Sequence, residues 1–163
     1  MTLEEFNALP EPEARARLAA CLDVPRWVDT VLAGRPYADT GALRAVATTA
    51  AELDDEELEQ ALARHPRIGE RAGAGHDAAH SAREQAGVDP ADHDVARRIA
   101  EGNRAYEERF DRVFLIRASG RTGPEILAEL ERRLGNNDAT EREETVQQLR
   151  EIALLRLDQA VGG

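Results

Sequence analysis

Lysine is missing from this chain: all 21 of its basic residues are arginine. Without a side-chain amine there is no imine with a carbonyl substrate, no lysine-anchored pyridoxal phosphate and no Walker-type phosphate lysine. A GC-rich coding bias is sufficient cause, and the chemical exclusion holds whatever the cause. Cysteine is nearly missing as well, since Cys21 stands alone; no intramolecular disulfide can form, which suits a reducing compartment. No apolar run is long enough to span a bilayer, and the opening MTLEEFNALPEPEARAR lacks a basic start followed by an apolar stretch. The last residues, Val-Gly-Gly, are not a Ser-Lys-Leu-type address. The expectation is a cytoplasmic protein with no membrane partner. Positive charge is scarce too: against 32 acidic residues the net charge is −11, which argues against a nucleic-acid partner, because phosphate binding needs a net basic face.

What is present reads as helix. The 163 residues suffice for one domain, 1–163, with a core that needs neither disulfide nor structural metal. Thr2-x-x-Glu5 has capping-box spacing and opens a short helix that Pro10 stops. A second helix covers Glu13 to Cys21, and Pro25 begins a third with Trp27, Val28 and Val31 inward, ended by Gly34 and Pro36. Thr40 to Leu53 carries apolar positions at helical period, Leu43, Val46, Ala47 and Ala50. Asp54 or Asp55 caps the next helix, which turns Leu58, Ala61 and Leu62 to one side and ends at His65-Pro66. Asp89-Pro90 starts a longer one through Val95, Ile99, Asn103, Tyr106 and Phe110. Val113 to Ile116 is β-like but too short and isolated for a sheet, so it reads as an extended connector. Thr122-x-x-Glu125 and Thr140-x-x-Glu143 open the last two helices. The fold class is all-α: a single-domain bundle of about eight helices with a short extended connector near 113–118.

The chemistry-bearing stretch runs from His65-Pro66-Arg67-Ile68-Gly69 to Ser81-Ala82-Arg83-Glu84-Gln85-Ala86-Gly87, where titratable side chains collect and glycines interrupt regular helix. A residue before proline is pushed out of the helical region, so His65 is expected at a helix terminus with its ring projecting from the scaffold. Ser81-x-x-Glu84 has capping-box spacing again and reads in two ways. It is either a plain helix cap, or, with Gln85 placing an amide beside the carboxylate, a site for a urea-like or carboxylate ligand. Arg156 sits among Leu149, Ile152, Ala153 and Ala160 on its helix. Either its stem lies on the core and its head snorkels out or meets a glutamate, or its fork is presented to a ligand. His76 and His80 have an i,i+4 spacing, but loop-prone surroundings and no third ligand argue against a zinc site. Gly73-Ala-Gly75 lacks the strand that a dinucleotide fingerprint requires.

Five ordered blocks together resemble the 2-oxo-4-hydroxy-4-carboxy-5-ureidoimidazoline (OHCU) decarboxylase family over nearly the whole chain. They are His65-Pro66 with Ile68-Gly69; Ser81-x-x-Glu84-Gln85-Ala-Gly87; Asn103-x-x-Tyr106-x-x-x-Phe110-x-x-x-Phe114-x-Ile116; Arg133-Leu134-x-Asn136; and Ile152-Ala-x-Leu-Arg156-Leu157. The resemblance implies an all-α homodimer that turns a small-molecule substrate, OHCU, into (S)-allantoin and CO2 with no metal and no organic cofactor. It further implies His65 as catalytic acid/base and Glu84 as its carboxylate partner. Substrate contacts carry over to Pro66, to Ser81, Ala82, Arg83, Glu84 and Gln85, to the backbone of Phe114, Leu115, Ile116, Arg117 and Ala118, and to Arg156. One departure concerns the connector: the family often has Phe-Gly at Phe110-Asp111, followed by an aromatic residue or proline, where this chain has Asp111-Arg112-Val113.

Overall fold

The computed structural model describes residues 1–65, 67–68 and 93–162. Among them are eight helices and no strand: α1 Leu3–Ala8, α2 Glu11–Cys21, α3 Pro25–Ala33, α4 Thr40–Ala50, α5 Asp55–Leu62, α6 His93–Phe110, α7 Gly123–Arg133 and α8 Asp138–Val161. Tertiary contacts divide the chain into two compact units, 1–61 with 150–163, and 62–149.

In the first unit the expected helices form, with two informative shifts. The Thr2/Glu5 capping box is present in both directions, with Glu5 N–H on Thr2 Oγ1 at 3.2 Å and Thr2 N–H on Glu5 Oε2 at 2.7 Å. Helix α2 starts at Glu11, two residues earlier than the spacing suggests, because Pro12 fits a first turn whose N–H groups have no partner anyway. Helix α4 stops at Ala50 instead of continuing to Leu53. Asp54 must be outside a helix to cap α5, where its carboxylate accepts from Glu57 N–H at 2.8 Å while Glu57 Oε1 accepts from Asp54 N–H at 3.1 Å. Arg26 secures that break: Nη2 donates to the carbonyls of Ala50 and Glu52 at 3.1 and 2.6 Å, and Nε to Glu57 Oε2 at 2.8 Å. A cation at a helix C-terminus satisfies carbonyls that the helix itself leaves open. Trp27, Val28 and Val31 are buried as the period requires, and the indole N–H of Trp27 donates to Ala47 O at 2.9 Å.

The second unit holds α6, α7 and the first half of α8 around one apolar cluster of Ile68, Ile99, Tyr106, Phe110, Phe114, Ile116, Ala118, Ile126, Leu127 and Leu130. Helices α6 and α7 approach closely at Gly102, where a Cβ would lie 2.5 Å from Leu130 Cδ2. Tyr106 stacks at tilted geometry with Phe110 and edge-on with Phe114, centroids 4.7 and 5.2 Å apart. Thr122 caps α7 as expected, accepting from Glu125 N–H at 3.3 Å. Thr140 does not open α8. Asn137 Oδ1 accepts from Thr140 N–H at 2.8 Å and the helix begins at Asp138, so Thr140 lies within the first turn. Asparagine is the stronger cap, and it comes first along the chain. After α6 the chain turns through Asp111 at φ 55°, a left-handed conformation, and runs without regular structure through residues 113–118 as the connector.

Candidate active site

Among the described residues, the candidates in the second unit fall on two segments, an arm with His65, Arg67 and Ile68 and the connector. Proline at 66 ends any helix at His65, and the chain has already left α5, with His65 N–H closing a turn on Leu62 O at 3.0 Å. His65 is half-buried. Two side chains one turn apart on α6 hold the arm beyond the histidine. Glu107 pairs with Arg67, with Nη2 to Oε1 at 2.7 Å, and Asn103 donates from Nδ2 to Ile68 O at 3.2 Å. Asn103 is buried, and its Oδ1 has no partner among the described residues. Ile68 then plugs the apolar cluster that also holds Phe114, Ile116 and Ala118. The histidine arm and the connector are thus seated on one core.

The connector is gripped from α7 and α8. Arg133, only 1 % exposed, donates from Nη1 to Leu115 O at 2.7 Å. Its Nε lies 3.0 Å from both oxygens of Glu141, itself 0 % exposed, and its Nη2 lies 2.6 Å from Oε2. Thr145 Oγ1, Asn136 Nδ2 and the Tyr106 hydroxyl complete the shell around this pair, the last donating to Glu141 Oε2. Burial, reinforced by the hydrogen bond to Glu141, pushes the Tyr106 hydroxyl well above its ordinary pKa, which keeps it a neutral donor. The guanidinium also covers the Phe114 ring, 4.6 Å from its centroid. Farther along α8, Gln148 Oε1 accepts the Arg117 backbone N–H at 2.9 Å. At the far end, Arg121 Nε donates to Arg117 O at 2.9 Å.

Arg156 lies in the first unit, on the second half of α8. It is 1 % exposed, and its Nη1 donates to Ala20 O, near the end of α2, at 3.2 Å. Pro66 and Ser81 to Gln85, including Glu84, lie outside the described residues, as do His76, His80, Asp89 and Pro90. Among the described residues no group of three His, Cys, Asp or Glu is arranged to hold a metal ion. No helix among them is long and apolar enough to cross a membrane.

The sequence model of the family described as OHCU decarboxylase matches residues 7–158. The chain belongs to the OHCU decarboxylase family. A relative from Haloferax volcanii named 2-oxo-4-hydroxy-4-carboxy-5-ureidoimidazoline decarboxylase is 26 % identical over 159 residues, 96 % of this chain and 94 % of that protein. A uric acid degradation bifunctional protein from Bacillus sp. (strain TB-90) is 24 % identical over 162 residues, 98 % of this chain but 32 % of the larger protein. Among solved structures, a crystal structure of OHCU decarboxylase in the presence of (S)-allantoin superposes with a TM-score of 0.72 at 20 % identity, covering 89 % of this chain and 96 % of that one. At that identity the likeness concerns the fold, which is the same all-helical one.

Family membership gives the departure at Asp111 a physical meaning. This residue sits at φ 55°, the region glycine enters freely, and aspartate is one of few other residues to tolerate it. Aspartate at this position turns the chain out of α6, and the connector reaches its place on the core. Sequence reasoning missed Glu141, Thr145, Gln148 and Glu107. The available signal was spacing: Glu141, Thr145 and Gln148 share one face of α8, and Asn103 and Glu107 share one face of α6.

Proposed function

We propose that this chain catalyses the cofactor-independent decarboxylation of OHCU to (S)-allantoin and CO2 in urate degradation, with His65 as acid/base assisted by Glu84. Membership in the decarboxylase family across residues 7–158 carries the reading. The seating of the His65 arm and the connector on one core supports it locally.

When the bond to the carboxylate breaks, its electron pair must be accepted. With no lysine in the chain the sink is the substrate's own ring C=N. The pair forms a C=C bond between the hydroxyl-bearing and ureido-bearing carbons while the C=N pair moves to nitrogen. The ring nitrogen takes up one proton and the ureido-bearing carbon another, the hydroxyl proton leaves as the ring carbonyl forms, and one proton is thus taken up overall for each CO2 released. Delivery to one face sets the S configuration. Histidine suits that transfer because its ordinary pKa lies near working pH. Glu84 orients His65 or accepts a hydrogen bond from the substrate hydroxyl, raising electron density as the bond breaks. Pro66, Ser81, Ala82, Arg83 and Gln85, the connector backbone and Arg156 hold the urea and carbonyl groups so that the carboxylate stands out of the ring plane. The working protein is a cytoplasmic homodimer.

The test uses substrate freshly generated from urate with urate oxidase and hydroxyisourate hydrolase, and follows allantoin chirality by circular dichroism. The wild type speeds the slow spontaneous decay and yields one enantiomer. His65→Asn lowers the rate by about 100-fold or more; near-full turnover in that variant would overturn the acid/base assignment.

A further inference from the structure

Both peptide bonds flanking Ile116 are trans, and in a trans peptide the C=O and N–H point in opposite directions. The Leu115 carbonyl points at Arg133 Nη1, 2.7 Å away, so the N–H of Ile116 points away from Arg133. The Arg117 N–H points at Gln148 Oε1, 2.9 Å away, so the carbonyl of Ile116 points away from Gln148. One residue thereby presents a donor and an acceptor side by side, turned from the α7 and α8 side chains that hold its neighbours. Ile116 is only 3 % exposed, and among the described residues neither of these groups has a partner. A buried peptide edge of this kind calls for a hydrogen-bonding partner.

We propose that Arg133 and Gln148 are positioning residues for the reaction. By gripping the Leu115 carbonyl and the Arg117 amide they set the Ile116 N–H and C=O as a donor–acceptor edge, complementary to an amide or ureido group, whose C=O can accept from the Ile116 N–H while its N–H donates to the Ile116 C=O. The buried Glu141, Thr145 and Tyr106 around Arg133 hold the fork rigid, which is why an arginine is needed here. It binds a carboxylate and a carbonyl at once, and an ammonium does not span both. The proposal rests on the reading of Phe114 to Ala118 as a substrate contact.

The experiment compares the wild type with Gln148→Leu, Gln148→Glu and Arg133→Lys, using KM and kcat together with amide NMR during titration with (S)-allantoin. Gln148→Leu removes the acceptor for the Arg117 amide, and Gln148→Glu keeps one. The expected result is a shift of the Ile116 amide on titration of the wild type. Binding in Gln148→Leu weakens roughly threefold to tenfold, the worth of one hydrogen bond, and Gln148→Glu recovers it. Arg133→Lys lowers kcat as well, at full secondary structure. A merely structural role would lower the melting temperature of Gln148→Leu and leave KM alone. If the wild-type Ile116 amide shifts and Gln148→Leu binds unchanged, the positioning role is refuted while the connector contact stands. If (S)-allantoin shifts other amides and none from 114 to 118, the connector reading fails and this proposal with it.

Discussion

Replacing Arg133 with methionine is the sharpest test of how the second unit is held. Methionine restores most of the stem's volume, so packing changes little; what is lost is the fork. Glu141, 0 % exposed, then keeps, among the described residues, the Tyr106 hydroxyl, Asn136 Nδ2 and Thr145 as side-chain donors. The Leu115 carbonyl also loses its partner at 2.7 Å. Removing one member of a buried ion pair costs about 3–5 kcal/mol, because the other charge stays desolvated and uncompensated. For a chain of this length each kcal/mol corresponds to about 2–4 °C, so a loss near 4 kcal/mol lowers the melting temperature by roughly 8–16 °C. Urea unfolding at about pH 7, followed by far-UV circular dichroism, gives the free energy without the screening that a salt denaturant adds. The double variant Arg133→Met with Glu141→Leu removes both charges and recovers a good part of the loss. A cost below about 1 kcal/mol for Arg133→Met, the value of an exposed pair such as Arg44–Asp158, refutes the reasoning. So does a double variant no more stable than the single one.

Gly102→Ala tests the approach of α6 to α7. Alanine gains about 1 kcal/mol of helix propensity, but its Cβ would lie 2.5 Å from Leu130 Cδ2, and Leu130 is fully buried and has nowhere to turn. The net effect is a destabilisation of about 1–3 kcal/mol, and a variant more stable than the wild type in urea would contradict it. Glu57→Gln tests the Arg26 clamp through pH. The hydrogen bond from Arg26 holds the Glu57 carboxyl below its ordinary 4.5. A carboxyl depressed on folding contributes stability that is present above the unfolded value and lost as pH falls through the folded one. The variant is therefore less stable at about pH 7, and its gap from the wild type closes below about pH 4. A gap independent of pH would mean that the ion pair contributes nothing.

Local rules carry far along this chain because helices are local objects. Capping at Thr2, Asp54 and Thr122, proline at the start of α3, and the apolar period of α4 and α6 depend on residues within two turns of one another, and the structure has them where the spacing puts them. Where local rules failed, a competitor stood close by: Asn137 outranked Thr140 as a cap, and Asp54 drew the chain out of helix before Leu53. The extended connector was also legible, since a β-like run of four residues has no partner strand in the sequence. Its phenylalanine and isoleucine could be named as members of a family pattern.

The sequence by itself determined the all-helical class, the exclusion of amine chemistry and the family, because these depend on composition and on ordered short motifs. It also placed His65 outside a helix, since a following proline disfavours the helical region for the residue before it. Tertiary structure alone decided which of the many charges are buried. Nothing in the run Glu141-Arg142-Glu143-Glu144 singles out Glu141; it lies inside because Arg133, eight residues earlier on another helix, meets it there. The same holds for the direction of each connector peptide, fixed by Arg133 and Gln148 from helices that the connector itself precedes. Burial of a charge and orientation of a peptide are set by partners distant along the chain, and a periodic pattern cannot encode the meeting of two helices.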